Sequence, residues 1–144
     1  MKAPLAKILP QPPAAPLDIA EGQCLLFAYG QLQPQQRPPQ TLVRAWPDRV
    51  RGLLYDLGPY PAAVQIGAVD AHFHGFVLEI ATAELTGTLD PFEQLDKGIY
   101  RRIRTVTESG FGVWLYEYAM PLPKHALGPI DRWCAARGQG FMKT

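Results

Sequence analysis

Proline and glycine set the limits of this chain. Fifteen prolines and thirteen glycines lie among its 144 residues, which leaves little room for long helices. Proline removes a backbone donor and fixes φ, while glycine ends regular elements at low steric cost. Many short strands joined by tight turns are expected. A chain of this length fits one domain and buries roughly two-thirds of its unfolded surface, enough for a core without disulfides. Pro4, Pro10, Pro12, Pro13 and Pro16 crowd the start. They mark residues 1–21 as a proline-rich arm and 22–144 as the folded domain. They also interrupt the apolar run that a secretory leader needs. No stretch is long and apolar enough to span a bilayer, so a cytoplasmic protein is the default expectation.

The apolar run Cys24-Leu25-Leu26-Phe27-Ala28-Tyr29, ended by Gly30, reads as a buried strand. Further strands are expected over 50–57, 62–66, 74–80, 100–107 and 112–120. The Gln- and Pro-rich stretch 33–40 is a loop, and Gly58-Pro59-Tyr60-Pro61 is a sharp turn. Thr88 or Asp90 is placed to cap a short helix with Pro91 in its first turn, running to about Leu95. A last helix is expected over 129–137, because Ile130, Trp133 and Cys134 fall at i, i+3, i+4 and Gly138 follows. There is no internal repeat and no βαβ alternation. The fold class is α+β, built on a mixed sheet or small barrel.

Net charge is +1, which implies no general attraction to nucleic acid or anionic membrane. Arg101, Arg102 and Arg104 beside aromatic residues offer a single-stranded nucleic-acid reading, and the balanced charge argues against it. Cys24 and Cys134 read as two buried thiols in a reducing compartment, since neither has a His nearby or a partner at metal-ligand spacing. His72 and His74 share a strand face, but no local carboxylate or Cys completes a metal pattern. No metal site is expected.

Two segments carry chemistry. In Leu89-Asp90-Pro91-Phe92-Glu93, a carboxylate follows an aromatic residue just ahead of the basic, strand-like run Tyr100-Arg101-Arg102. Upstream, the first buried strand ends in Ala28-Tyr29-Gly30-Gln31-Leu32. One segment offers a base and the other a turn of backbone donors, which together suit a small-molecule site. Tyr29 reads as core with its hydroxyl reaching a partner at the rim.

These motifs, in this order, resemble the γ-glutamylcyclotransferase-like (AIG2-like) family. Phe27-Ala28-Tyr29-Gly30-Gln31-Leu32 is similar to the family's Tyr-Gly-Ser/Thr-Leu loop, and Pro59-Tyr60-Pro61 stands where the family often has Tyr-Pro. Leu89-Asp90-x-Phe92-Glu93 followed by Tyr100-x-Arg102 is like the family's Leu-Asp-x-Phe-Glu…Tyr-x-Arg. The resemblance spans about Leu25 to Leu122. It implies a small barrel of mixed strands with helices outside. It also implies release of 5-oxoproline from a γ-glutamyl compound, with Glu93 as acid/base and the Tyr29–Leu32 loop holding the substrate's α-amino-acid end. Gln31 departs from the usual Ser or Thr, which bears on substrate identity.

The chemistry implied needs no metal or organic cofactor, and the partner is a small γ-glutamyl molecule. The substrate's own α-amine attacks its γ-carbonyl, so alignment supplies much of the rate and one proton shuttle completes the step. Glu93 fits that shuttle if burial beside Phe92 raises its pKa. Tyr116 and Tyr118 share a face of the last strand by period two, and Tyr118 is the expected pocket aromatic. Tyr100 lies on a face with Arg102 and Arg104, either a positive edge for a substrate carboxylate or a solvated strand face. A non-catalytic ligand- or partner-binding domain on the same fold is the alternative reading, favoured by Gln31 and the arm.

Overall fold

The computed structural model describes residues 6–14, 17–93 and 97–134. Six strands form one mixed sheet in the order β1-β3-β6-β2-β8-β7: β1 is Lys7–Ile8, β2 Gln23–Ala28, β3 Arg44–Arg51, β6 His72–Ala81, β7 Tyr100–Val106 and β8 Gly112–Tyr118. A second sheet has the order β5-β4-β9, with β4 at Leu53–Asp56, β5 at Pro61–Val64 and β9 at Leu127–Ile130. Between β6 and β7, helix α1 (Thr82–Glu84) runs through the π-helical turn Leu85–Leu89 into α2 (Asp90–Phe92).

Strand β2 is buried on both faces, which is why its sequence is a continuous apolar run rather than an alternating one. Leu25, Phe27 and Tyr29 join Trp46, Phe73, Val77, Val113 and Leu115 on one face, where Leu54 and Ala63 of the second sheet and Trp133 cover them. Leu26 and Ala28 face the other way, onto Leu78, Ile80 and Tyr116, under Leu85 and Leu89 of the π-helical turn. The wider π turn brings two residues four apart onto the same core.

The expected barrel is not closed: the described strands fall into two sheets. The expected strand 50–57 straddles the break between β3 and β4 at Gly52. There φ is +155°, and a Cβ would come within 2.7 Å of Ile66 Cδ1 and 3.0 Å of Phe73 Cε1. That glycine lets the chain leave one sheet for the other. That expectation began at residue 50 and missed 44–49 of β3, a stretch that holds Pro47, and proline counts against an interior strand. Strand β1 pairs only with Arg44 and Ala45, so the missing Pro47 N–H falls beyond that pairing.

The late helix is also corrected. Leu127–Ile130 is a strand antiparallel to β4, and residues 131–134 are irregular; 135–137 lie outside the described residues. Tertiary contacts override the helical spacing. Trp133 is buried and donates its indole N–H to Asp56 Oδ1 at 3.1 Å, and the Asp131 carbonyl accepts from the His74 backbone N–H at 2.7 Å.

The short helix starts at Thr82, directly after β6, so Asp90-Pro91-Phe92 forms its last turn rather than its first. Neither Thr88 nor Asp90 caps it; residues 94–96 lie outside the described residues. In the arm, Lys7–Ile8 pairs in parallel with β3, and Leu9, Leu17 and Ile19 pack against the first core. Cys24 is half-buried, while Cys134 is exposed rather than buried. No helix among the described residues is long and apolar enough to cross a membrane.

Candidate active site

Past the C-terminal end of β2 lies a cavity of about 410 Å³. Its walls include Tyr29, Gly30, Gln31 and Leu32 from the turn after β2, Tyr60 and Pro61 at the start of β5, and Phe92 and Glu93 at the end of α2. Tyr100 of β7 and Tyr116 of β8 also face it. The turn and the carboxylate, 61 residues apart by their numbers Leu32 and Glu93, therefore border one space.

Glu93 is the sole ionisable acid or base of ordinary charge among the cavity's described walls. Its backbone N–H closes the helix by donating to Leu89 O at 2.8 Å. Burial alone lifts its carboxyl from the ordinary 4.5 to about 7, because desolvation disfavours the charged form. Phe92, beside it, is 53% exposed, so the shelter comes from the cavity walls more than from that ring.

The helix end is fixed by Asp90. Arg102 grips it in a fork, with Nε to Oδ1 at 2.9 Å and a second guanidinium N–H to Oδ2 at 3.1 Å. The Tyr116 hydroxyl also donates to Asp90 Oδ1, at 2.6 Å. Three residues upstream of the carboxylate, α2 is thus tied to β7 and β8. Arg102 also stacks over the Trp114 ring at 4.3 Å, and Arg104 at 4.9 Å. Arg101 pairs with Glu117 at 2.9 Å. None of these arginines lines the cavity.

The aromatic walls are locked by their hydroxyls. Tyr29 donates to the Tyr116 carbonyl, and Tyr100 donates to the Pro61 carbonyl at 2.7 Å. Burial pushes all three hydroxyls of Tyr29, Tyr100 and Tyr116 up, and the Glu93 charge adds to each; for Tyr116 the bond to Asp90 contributes ahead of it. They remain protonated donors at neutral pH.

Gly30 is where two sequence motifs meet. A Cβ there would stand 2.9 Å from Pro61 Cγ and 3.1 Å from Pro61 Cδ. Only glycine lets the turn after β2 approach the Pro59–Pro61 segment this closely. The Gln31 side chain reaches the same segment, its amide 3.4 Å from the Pro59 carbonyl.

Of the residues singled out from sequence, Glu93, Tyr29, Gly30, Gln31, Leu32 and Tyr100 border the cavity. Tyr118 does not. Its ring packs edge-on against Tyr100 at 5.5 Å, and Tyr116 is the β8 tyrosine in the wall. The pairing of β8 with β2 decides this: the two strands run parallel with Leu26 opposite Trp114, so Tyr116 lies level with the cavity end of β2 and Tyr118 lies two residues beyond, which period-two reasoning could not resolve. Tyr60, Pro61, Phe92, Ile99 and the β2 residues Leu26, Phe27 and Ala28 also line it; Tyr60, Pro61 and Phe92 lay within quoted motifs, while nothing in the sequence singled out Ile99. Among the described residues no group of three or more His, Cys, Asp or Glu is placed to hold a metal.

Residues 26–135 match the family model described as gamma-glutamyl cyclotransferase, AIG2-like. The chain belongs to that family. No curated protein matches the chain. Among solved structures it is similar in fold to a mouse AIG2-like protein, with TM-score 0.64 and 15% identity over 79% of this chain and 90% of that one. An uncharacterized protein from Pyrococcus horikoshii aligns with TM-score 0.52 and 17% identity, over 72% of this chain and 85% of that one. YkqA from Bacillus subtilis aligns with TM-score 0.54 and 23% identity, over 67% of this chain and 36% of that one.

Proposed function

We propose that the protein cyclises a γ-glutamyl amine or amino-acid derivative, releasing 5-oxoproline and the free amine, with Glu93 as general acid/base. The observation that carries this is a carboxyl raised to about 7 on the wall of a cavity shared with the Tyr29–Leu32 turn. Family membership supports it.

In the reaction, the Glu93 carboxylate takes a proton from the substrate's α-ammonium. The freed nitrogen attacks the γ-carbonyl carbon and closes a five-membered lactam. The attacking nitrogen gives up its second proton to water, and the amide C–N bond breaks as Glu93 returns the first proton to the departing amine. A carboxyl near 7 is divided between its two forms at neutral pH, which suits both halves of that transfer; such catalysis contributes on the order of 10²–10⁴ in rate. Holding the chain bent contributes more, up to roughly 7–11 kcal/mol for well-aligned intramolecular attack. The aromatic walls and the turn supply that constraint, and backbone N–H groups of the turn receive the substrate carboxylate or the developing oxyanion.

The test is incubation with a panel of γ-glutamyl amides and assay of 5-oxoproline. Release by the wild type and its loss in Glu93→Gln is expected. Activity that survives in the variant refutes the role of Glu93, and absence of turnover with ligand-induced stabilisation favours a binding domain.

A further inference from the structure

Gln33 is 4% exposed, uncommon for an amide in a loop. Its Nε2 lies 3.1 Å from the Tyr29 carbonyl, 3.0 Å from the Gly30 carbonyl and 3.2 Å from the Trp133 carbonyl. The backbone N–H of Gln33 also donates to Gly30 O at 3.1 Å, and the Arg37 N–H donates to Gln31 O at 2.7 Å. Three successive carbonyls of the turn, those of Tyr29, Gly30 and Gln31, are therefore held by protein donors. In a trans peptide the N–H points opposite to the C=O. Anchoring those carbonyls turns the N–H groups of Gly30, Gln31 and Leu32 the other way, on residues that border the cavity.

The anchor is itself held. Trp133 is fixed by its indole bond to Asp56 Oδ1 at 3.1 Å, and the same oxygen accepts the Gly58 N–H at 2.8 Å. Gln35 Nε2 donates to Gln33 Oε1 at 3.2 Å, which sets the amide's orientation. The chain from Asp56 through Trp133 to Gln33 links the second sheet to the turn, behind its cavity side.

We infer that Gln33 is a positioning residue: its buried amide sets the peptide planes of the Tyr29–Leu32 turn so that their N–H groups serve an anionic or oxyanionic group in the cavity. This rests on the reading of the site as a γ-glutamyl cyclisation centre. Gln33 touches no substrate in this scheme and acts through the turn.

The experiment compares wild type with Gln33→Met, close in size but without the two N–H donors. Amide resonances of Gly30, Gln31 and Leu32 are followed by NMR in the free proteins, together with steady-state kinetics on a γ-glutamyl amide. The turn amides are expected to shift while resonances of the distant β3–β6 pairing stay in place. KM is expected to rise on the order of tenfold, as for loss of aligned hydrogen bonds to a charged group. The pH inflection near 7 assigned to Glu93 stays where it is. A folded variant with unmoved turn amides and with KM and kcat within about twofold of wild type overturns the inference. If Gln33→Met does not fold, titration of the wild type with 5-oxoproline decides. The Gly30–Leu32 amides must respond, and a response confined to resonances around Tyr60 and Glu93 overturns it. Turn amides that move in the variant, with no turnover of any γ-glutamyl compound by the wild type, support the positioning role and sink the cyclisation reading alone.

Discussion

Replacing Glu93 by Gln keeps the side chain's shape and removes its charge, and the structure fixes how stability must respond to pH. The carboxyl is raised from 4.5 to about 7 by burial, and among the described residues none donates a hydrogen bond to it. The folded state therefore holds its proton more tightly than the unfolded chain. Below about pH 4 both states are protonated and burial carries no ionic cost. Between 4.5 and 7 the unfolded state ionises while the folded state does not, so wild-type stability falls as pH rises through that window. Above about 8 the cost is complete, at most ~3 kcal/mol from the shift and less after solvent screening at this half-buried position. The glutamine variant escapes it. Urea unfolding at pH 4 and pH 8.5 is the assay. The two proteins are expected to be nearly equal at pH 4, with the variant the more stable by about 1–3 kcal/mol at pH 8.5. A variant no more stable than wild type at pH 8.5 refutes the claim that Glu93 is desolvated without a compensating partner.

Other substitutions test the surrounding geometry. Arg102→Ala leaves the Asp90 carboxylate with Tyr116 as its remaining partner, so a loss of about 2–3 kcal/mol is expected by thermal melting, along with a looser Glu93. Gly30→Ala forces a methyl against Pro61 at 2.9 Å; about 1–3 kcal/mol of destabilisation is expected, with reduced affinity for 5-oxoproline by calorimetry. Trp133→Phe removes the indole donor to buried Asp56, and unfolding should show a cost of about 1–3 kcal/mol. The kcat/KM of wild type should rise with pH through about 7 as the Glu93 carboxylate forms, measured as initial rates of 5-oxoproline release across pH 5–9.

Sequence revealed most clearly what is locally determined. The β2 run from Leu25 to Ala28 is apolar at every position because both its faces are covered, and its end at Gly30 was visible in the residues. Glu93 and the turn were legible as separate segments, and their meeting rested on family resemblance rather than on spacing. What was hidden depended on pairing between distant residues. Residues 44–49 of β3 were missed; they hold Pro47, whose missing donor is harmless only where β1 has already ended. The 129–137 spacing suggested a helix, yet β4 and Asp56 draw that segment into a strand and a buried tryptophan. Tyr116 and Tyr118 are equivalent by periodicity, and the parallel pairing of β8 with β2 separates them. Gln33 read as loop composition, since nothing local signals that its amide is buried against Trp133, 100 positions away.

The most direct test of the central claim is a carbon-detected NMR titration of the Glu93 side-chain carboxyl, without and with 5-oxoproline. A midpoint near 7 in the free protein is expected, moved by the ligand together with the Gly30 amide. A midpoint in the ordinary carboxylate range of about 4, unmoved by ligand, would contradict it.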